Sequence, residues 1–126
     1  MNINTETLQQ KPERTLCGRV IGVVEYRYQL NALCESLAIL GVREVEVLNG
    51  PSGTRRLETW KESVSQYFFG DMEGEMLQQY LDAVANDRIV FAAVVVPELA
   101  DKTAEIVKMA GAFDVVHFVD FAVTNY

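Results

Sequence analysis

The sequence predicts a single α+β domain made from two related β-α-β halves, one near residues 18 to 48 and the other near 88 to 121. Short β-branched apolar runs suit buried strands, and leucine-rich stretches at helical spacing follow them. The same order of elements then recurs at one fixed offset along the chain.

The first fifteen residues, MNINTETLQQKPERT, are polar, lack the apolar run of a signal peptide and are expected to form a disordered tail ahead of a domain spanning 16–126. RVIGVV, Arg19 to Val24, is a β-branched run stopped by Glu25 and reads as a strand buried on both faces. Leu30, Leu33, Leu37 and Leu40, with Ala32, Cys34 and Ala38 beside them, trace one stripe of an amphipathic helix. Gly41 stands where a helix ends in the left-handed region, and REVEV then alternates like a half-buried strand.

IVFAAVVV, Ile89 to Val96, is the most apolar run and predicts a central strand. Leu99, Thr103, Ile106, Val107 and Ala110 keep helical spacing, Gly111 closes that helix, and DVVHFVDF, Asp114 to Phe121, predicts the last strand. A constant offset of 70 residues, Gly41 against Gly111, also maps Val20 to Val90, Leu37 to Val107, Glu44 to Asp114 and Val45 to Val115.

Two such units sharing one sheet give a ferredoxin-like β-α-β-(α-α)-β-α-β sandwich with a mostly antiparallel four-stranded sheet. The segment 49–87 between them is too long for a hairpin. Leu57, Trp60, Val64 and Tyr67, then Leu77, Tyr80, Leu81 and Val84, predict two inserted helices broken near Gly70 and Asp71. Ile89 to Val96 does not alternate, so both sheet faces must be covered, the second by the insertion or by another subunit. The expectation is a homodimer or larger homo-oligomer through the sheet face or the inserted helices.

A formal charge of −7 with only 11 Lys and Arg argues against a nucleic-acid partner. No apolar run approaches the ~20 residues of a membrane span, and a cytoplasmic location is expected, with Cys17 and Cys34 as thiols. The sequence contains no nucleophile, nucleotide or metal motif, so no catalytic residue, metal or cofactor is expected.

Candidate sites have a packing reading beside a functional one. The loop Asn49 to Arg56 offers Gly50, Ser52, Gly53, Thr54, Arg55 and Arg56 as an anion cradle, or else a turn with Ser52 or Thr54 as helix cap. Trp60, Tyr67, Phe68 and Phe69 suit a pocket or an interface, or else anchor a helix to the sheet; Tyr80 and Phe118 extend that set. His117, the single histidine, lies among valines and phenylalanines and suits a packed position better than a general base. The carboxylates Asp71, Glu73, Glu75 and Asp82 suit a helix start.

VEVLNGPSGTRRLE, followed by EGEMLQQYLDAVANDRIVFAAVVVPELADKTAEIVKMAGAFDV, resembles the bacterial general stress protein family of the heat-induced, seventeen-M type. The matching positions are Gly50, Gly53, Tyr80, Gly111, Ala112 and Asp114, and coverage runs from about residue 18 to 121. Where relatives commonly have glycine before the apolar strand, this chain has Asn86, Asp87 and Arg88. The resemblance implies a stand-alone ferredoxin-like, stress-associated module and transfers no active-site residue.

The functional expectation is therefore a regulatory module acting through oligomerisation, protein interaction or small-molecule sensing. One alternative is a sensor of anionic metabolites similar to ACT or PII modules. Another is a small cofactor-independent enzyme, of the dimeric ferredoxin-like oxygenase or isomerase type, built around His117 or Trp60.

Overall fold

A computed structural model describes residues 16–67, 72–119 and 122–126. The expected tail, Phe68, Phe69, Gly70, Asp71, Asp120 and Phe121 lie outside the described residues, as do the side chains of Val64, Tyr67 and Glu73. The elements run β1 (Arg19–Val24), α1 (Arg27–Leu40), β2 (Val45–Leu48), α2 (Gly50–Tyr67), α3 (Met72–Ala85), β3 (Ile89–Val94), a 3-10 turn (Pro97–Leu99), α4 (Ala100–Met109), β4 (Phe113–Val119) and β5 (Ala122–Asn125).

The sheet is wholly antiparallel in the order β2-β3-β1-β4-β5. It has five strands where four were expected. The last predicted strand ends at Val119, and β5 returns beside it with Thr124 opposite His117 and Val123 opposite Phe118. β3 also ends earlier than the apolar run, at Val94; the Val95 N–H still bonds to the Gly18 carbonyl opposite it, and Pro97 then fixes the start of the 3-10 turn. A third difference concerns the expected loop over 49–56, where α2 starts at Gly50 and the Gly53 N–H already bonds to the Asn49 carbonyl at 3.1 Å.

The repeat holds in three dimensions: β1 and β3 occupy corresponding residues at the offset of 70, and α1 corresponds to the 3-10 turn with α4. Gly41 ends α1 at φ 106°, where its N–H bonds to the Leu37 and Ala38 carbonyls, as the left-handed cap requires. Asp87 makes the turn before β3 at φ 63°, a conformation that Asp tolerates better than most residues.

Strand periodicity divides the core into two layers. Val20, Val24, Phe91, Ala93 and Val115 point to the face covered by Leu30, Leu33 and Leu37 of α1 and Ala100, Ala104 and Val107 of α4. Ile21, Val23, Val90, Ala92, Val116 and Phe118 point to the other face, closed by Leu57 and Trp60 of α2 and Met76, Leu77, Tyr80 and Val84 of α3. The inserted helices thus cover the second face within this chain.

Tyr80 also serves the sheet. Its buried hydroxyl lies 2.7 Å from the Asp114 carbonyl and 3.3 Å from that of Ile21, spanning β4 and β1 where their register shifts between Ile21 and Val23. Gly22, at the shift, has room for no side chain, since a Cβ would sit 2.8 Å from the Phe91 ring.

Candidate functional site

Three places gather chemistry-bearing side chains. The first lies where β1, β2 and α2 meet. Arg19 begins β1 opposite Val94 of β3, and Glu46 stands on β2 opposite Ala92, so β3 lies between the two charges and holds them on one face. Arg19 Nη1 is 3.5 Å from Glu46 Oε1, and Arg56 Nε is 3.0 Å from Glu46 Oε2. Arg56 also donates through Nη2 to Glu46 Oε1 at 3.2 Å. The guanidinium carbons of Arg19 and Arg56 lie 5.8 and 4.9 Å from the centroid of the fully buried Trp60 ring, within cation–π range. Burial is the main influence on Arg19 and lowers its pKa, with the Arg56 charge acting in the same direction and Glu46 and Glu44 opposing. Two cations thus converge on one shared carboxylate.

This cluster accounts for the predicted anion residues in an unexpected way. Arg56 faces Glu46 and Trp60, whereas Arg55 is exposed and its carbonyl accepts the Thr59 hydroxyl. Gly53 is buried because α2 leaves β2 so closely that a Cβ would come within 2.4 Å of the Leu48 carbonyl carbon. Gly50 and Ser52 are exposed, and Thr54 faces a groove between α2 and α3 that Lys61, Gln78 and Asp82 also line.

The second place lies between α4 and the end of the chain. An open groove of about 810 Å³ is lined by Asp101, Ala104, Glu105, Lys108, Met109 and Tyr126 among others. The Tyr126 hydroxyl donates to Asp101 Oδ1 at 2.5 Å, and Lys108 Nζ donates to the Tyr126 carbonyl. Desolvation, then the hydrogen bond and charge of Asp101, push the Tyr126 phenol up to about 12. His117 is 6 % exposed on β4, and its Nε2 is buried with no hydrogen-bond partner among the described residues. Burial lowers its pKa against the opposing charge of Asp101. It lines none of the three grooves found among the described residues.

The third place is the opposite end of β1. Tyr26 and Tyr28 are exposed and stacked, their centroids 5.6 Å apart. The Arg88 guanidinium is 3.6 Å from Glu25 and lies 5.9 Å from the ring of the half-exposed Phe113. The Gln29 side chain accepts from the Glu25 and Tyr26 N–H groups at 3.0 Å and so fixes the start of α1.

Of the predicted set, the structure brings Arg56 and Trp60 together. Tyr80 and Phe118 lie in the core layer beneath α2 and α3, and His117 faces the opposite layer. Sequence reasoning missed Arg19 and Glu46 as partners, and Asp101, Lys108 and Tyr126 as a group. For the first pair a signal was present, since a charge opens one apolar strand and another stands within REVEV; for Tyr126 there was none. Among the described residues no group of three or more His, Cys, Asp or Glu is placed to hold a metal ion, and no helix is long and apolar enough to cross a membrane. Comparison with protein-family models, with curated proteins and with solved structures finds no match to this chain.

Proposed function

We propose that the chain is a ferredoxin-like, non-enzymatic regulatory module that acts from its surface, by contact with other proteins or with copies of itself, in a stress-associated setting. The order β2-β3-β1-β4, with α1 and α4 on one face, supports the ferredoxin-like part. The observation that carries the functional part is the filling of both sheet faces. Leu33, Leu37, Phe91 and Val107 close one layer and Trp60, Leu77, Tyr80 and Phe118 the other, each with 1 % exposure or less. The grooves found among the described residues are open surface features, two along helix flanks and one beside the start of β4 and the end of β5. The stress association rests on the sequence resemblance around Gly50–Gly53 and Gly111–Asp114.

A thermal-shift panel of nucleotides, phosphate metabolites and amino acids tests this reading. No compound is expected to raise Tm appreciably. A ligand present at a hundred times its Kd adds about 2.7 kcal/mol, so a single strong hit would overturn the surface-acting reading.

A second reading, a sensor of anionic metabolites similar to ACT or PII modules, is favoured by the convergence of Arg19 and Arg56 on Glu46. It predicts a phosphate-bearing hit that disappears when Arg55 and Arg56 are replaced by Ala. The enzyme reading receives less support, because His117 and Trp60 are both packed in the core.

A further inference from the structure

The geometry points to the outer edge of β5, with the adjoining flank of α4, as a self-association face whose occupant is the same face of a second copy of this chain. The inference rests on the surface-acting reading above and names its partner.

The sheet has two edges, β2 and β5. β2 carries Glu46 and follows Arg43 and Glu44, and charges on an edge oppose the addition of another strand. β5, with sequence AVTN, has neither charge nor proline. The Tyr126 N–H bonds to the Val115 carbonyl at 2.9 Å, so the alternate positions Thr124 and Ala122 also turn their backbone groups to β4, and the Val123 backbone turns outward. Two of the three grooves found among the described residues reach the far end of this strand, one at Tyr126 and the other at Asn125 and Tyr126, and they share Lys108 and Tyr126. Their exposed apolar members are Met109, which is 83 % exposed, and Phe113.

A second copy fits because pairing β5 with β5 about a two-fold axis brings one surface against itself and so demands self-complementarity. α4 supplies it: Glu98 and Asp101 lie at its N-terminal end and Lys108 at its C-terminal end. Antiparallel apposition sets the acids of one copy against Lys108 of the other, while Met109 and Tyr126 enter the shared groove. A four-residue edge alone is too short for a stable interface, and the groove walls supply the remaining area.

Sedimentation velocity from about 1 to about 100 µM tests the proposal on the whole chain, with Val123→Pro and Met109→Glu as variants. The expected result is a reversible dimer that each variant weakens by about tenfold or more, with far-ultraviolet circular dichroism unchanged. Val123→Pro removes an outward N–H; should it fail to fold, Met109→Glu, at an exposed helix end, still decides the matter. A monomeric wild type across that range, or a dimer that Met109→Glu leaves intact, overturns the proposal. A monomer that binds no small molecule removes the self-association face alone, whereas a strong metabolite hit removes the surface-acting reading whatever the dimer does.

Discussion

Replacing Gly53 by Ala tests how α2 is seated on the sheet. A Cβ there would lie 2.4, 2.9 and 3.0 Å from the carbonyl carbon, Cα and carbonyl oxygen of Leu48, all backbone atoms that no rotamer change can move aside. The helix must lift, loosening Leu57 and Trp60 from the layer they close and Arg56 from Glu46. Overpacking costs about 1–3 kcal/mol, and a rigid backbone neighbour puts this site at the upper end. Better helix propensity returns up to about 1 kcal/mol, leaving a net loss of roughly 2 kcal/mol. In a domain of this size that is a fall in Tm of roughly 6–10 °C. Gly74 is the control, since a Cβ there meets nothing within 4 Å. Gly74→Ala is expected to stabilise by up to about 1 kcal/mol. Urea unfolding followed by circular dichroism measures both. A Gly53→Ala protein as stable as wild type would refute the close seating of α2 on β2.

Tyr80→Phe removes the hydroxyl shared by the Ile21 and Asp114 carbonyls and is expected to cost about 1–3 kcal/mol in urea unfolding; an unchanged midpoint would mean that the register shift needs no clamp. His117 has a pKa lowered by burial, so the folded state binds fewer protons than the unfolded one. Its contribution is present above the ordinary histidine value of about 6.5 and is lost as pH falls below it, and His117→Leu should flatten that acid limb of the stability profile. Glu46→Gln leaves Arg19 and Arg56 facing each other, a loss of about 1 kcal/mol once solvent screening is allowed for. Added phosphate should restore more stability to this variant than to wild type, and equal responses would show that the two cations do not form a unit.

Much of the fold was legible because it rests on local patterns. Leu30, Leu33 and Leu37 sit on one helical stripe and all three are buried, and Gly41 caps that helix in the left-handed region as its position after the stripe required. The failure of Ile89 to Val96 to alternate required cover on both faces, and Val90 and Ala92 do face one helical layer while Phe91 and Ala93 face the other. What was missed depends on distant pairing. β5 is four residues with no apolar alternation to announce it, and its place is fixed by the partners it finds on β4.

The same distinction explains why the candidate sites were only half legible. Arg55 and Arg56 are adjacent in sequence and looked equivalent, but one helical step of 100° separates an exposed side chain from one that reaches Glu46 and the Trp60 ring. A basic pair after glycines therefore supplied one residue to the cluster, and its other cation, Arg19, came from 37 residues upstream. Arg19 is brought there by strand pairing, since β3 separates β1 from β2 and holds Arg19 and Glu46 on one face. Sheet pairing of this kind decides which charges meet. Composition and spacing constrained the elements, whereas the Arg19–Glu46–Arg56 cluster depends on which strand lies between which.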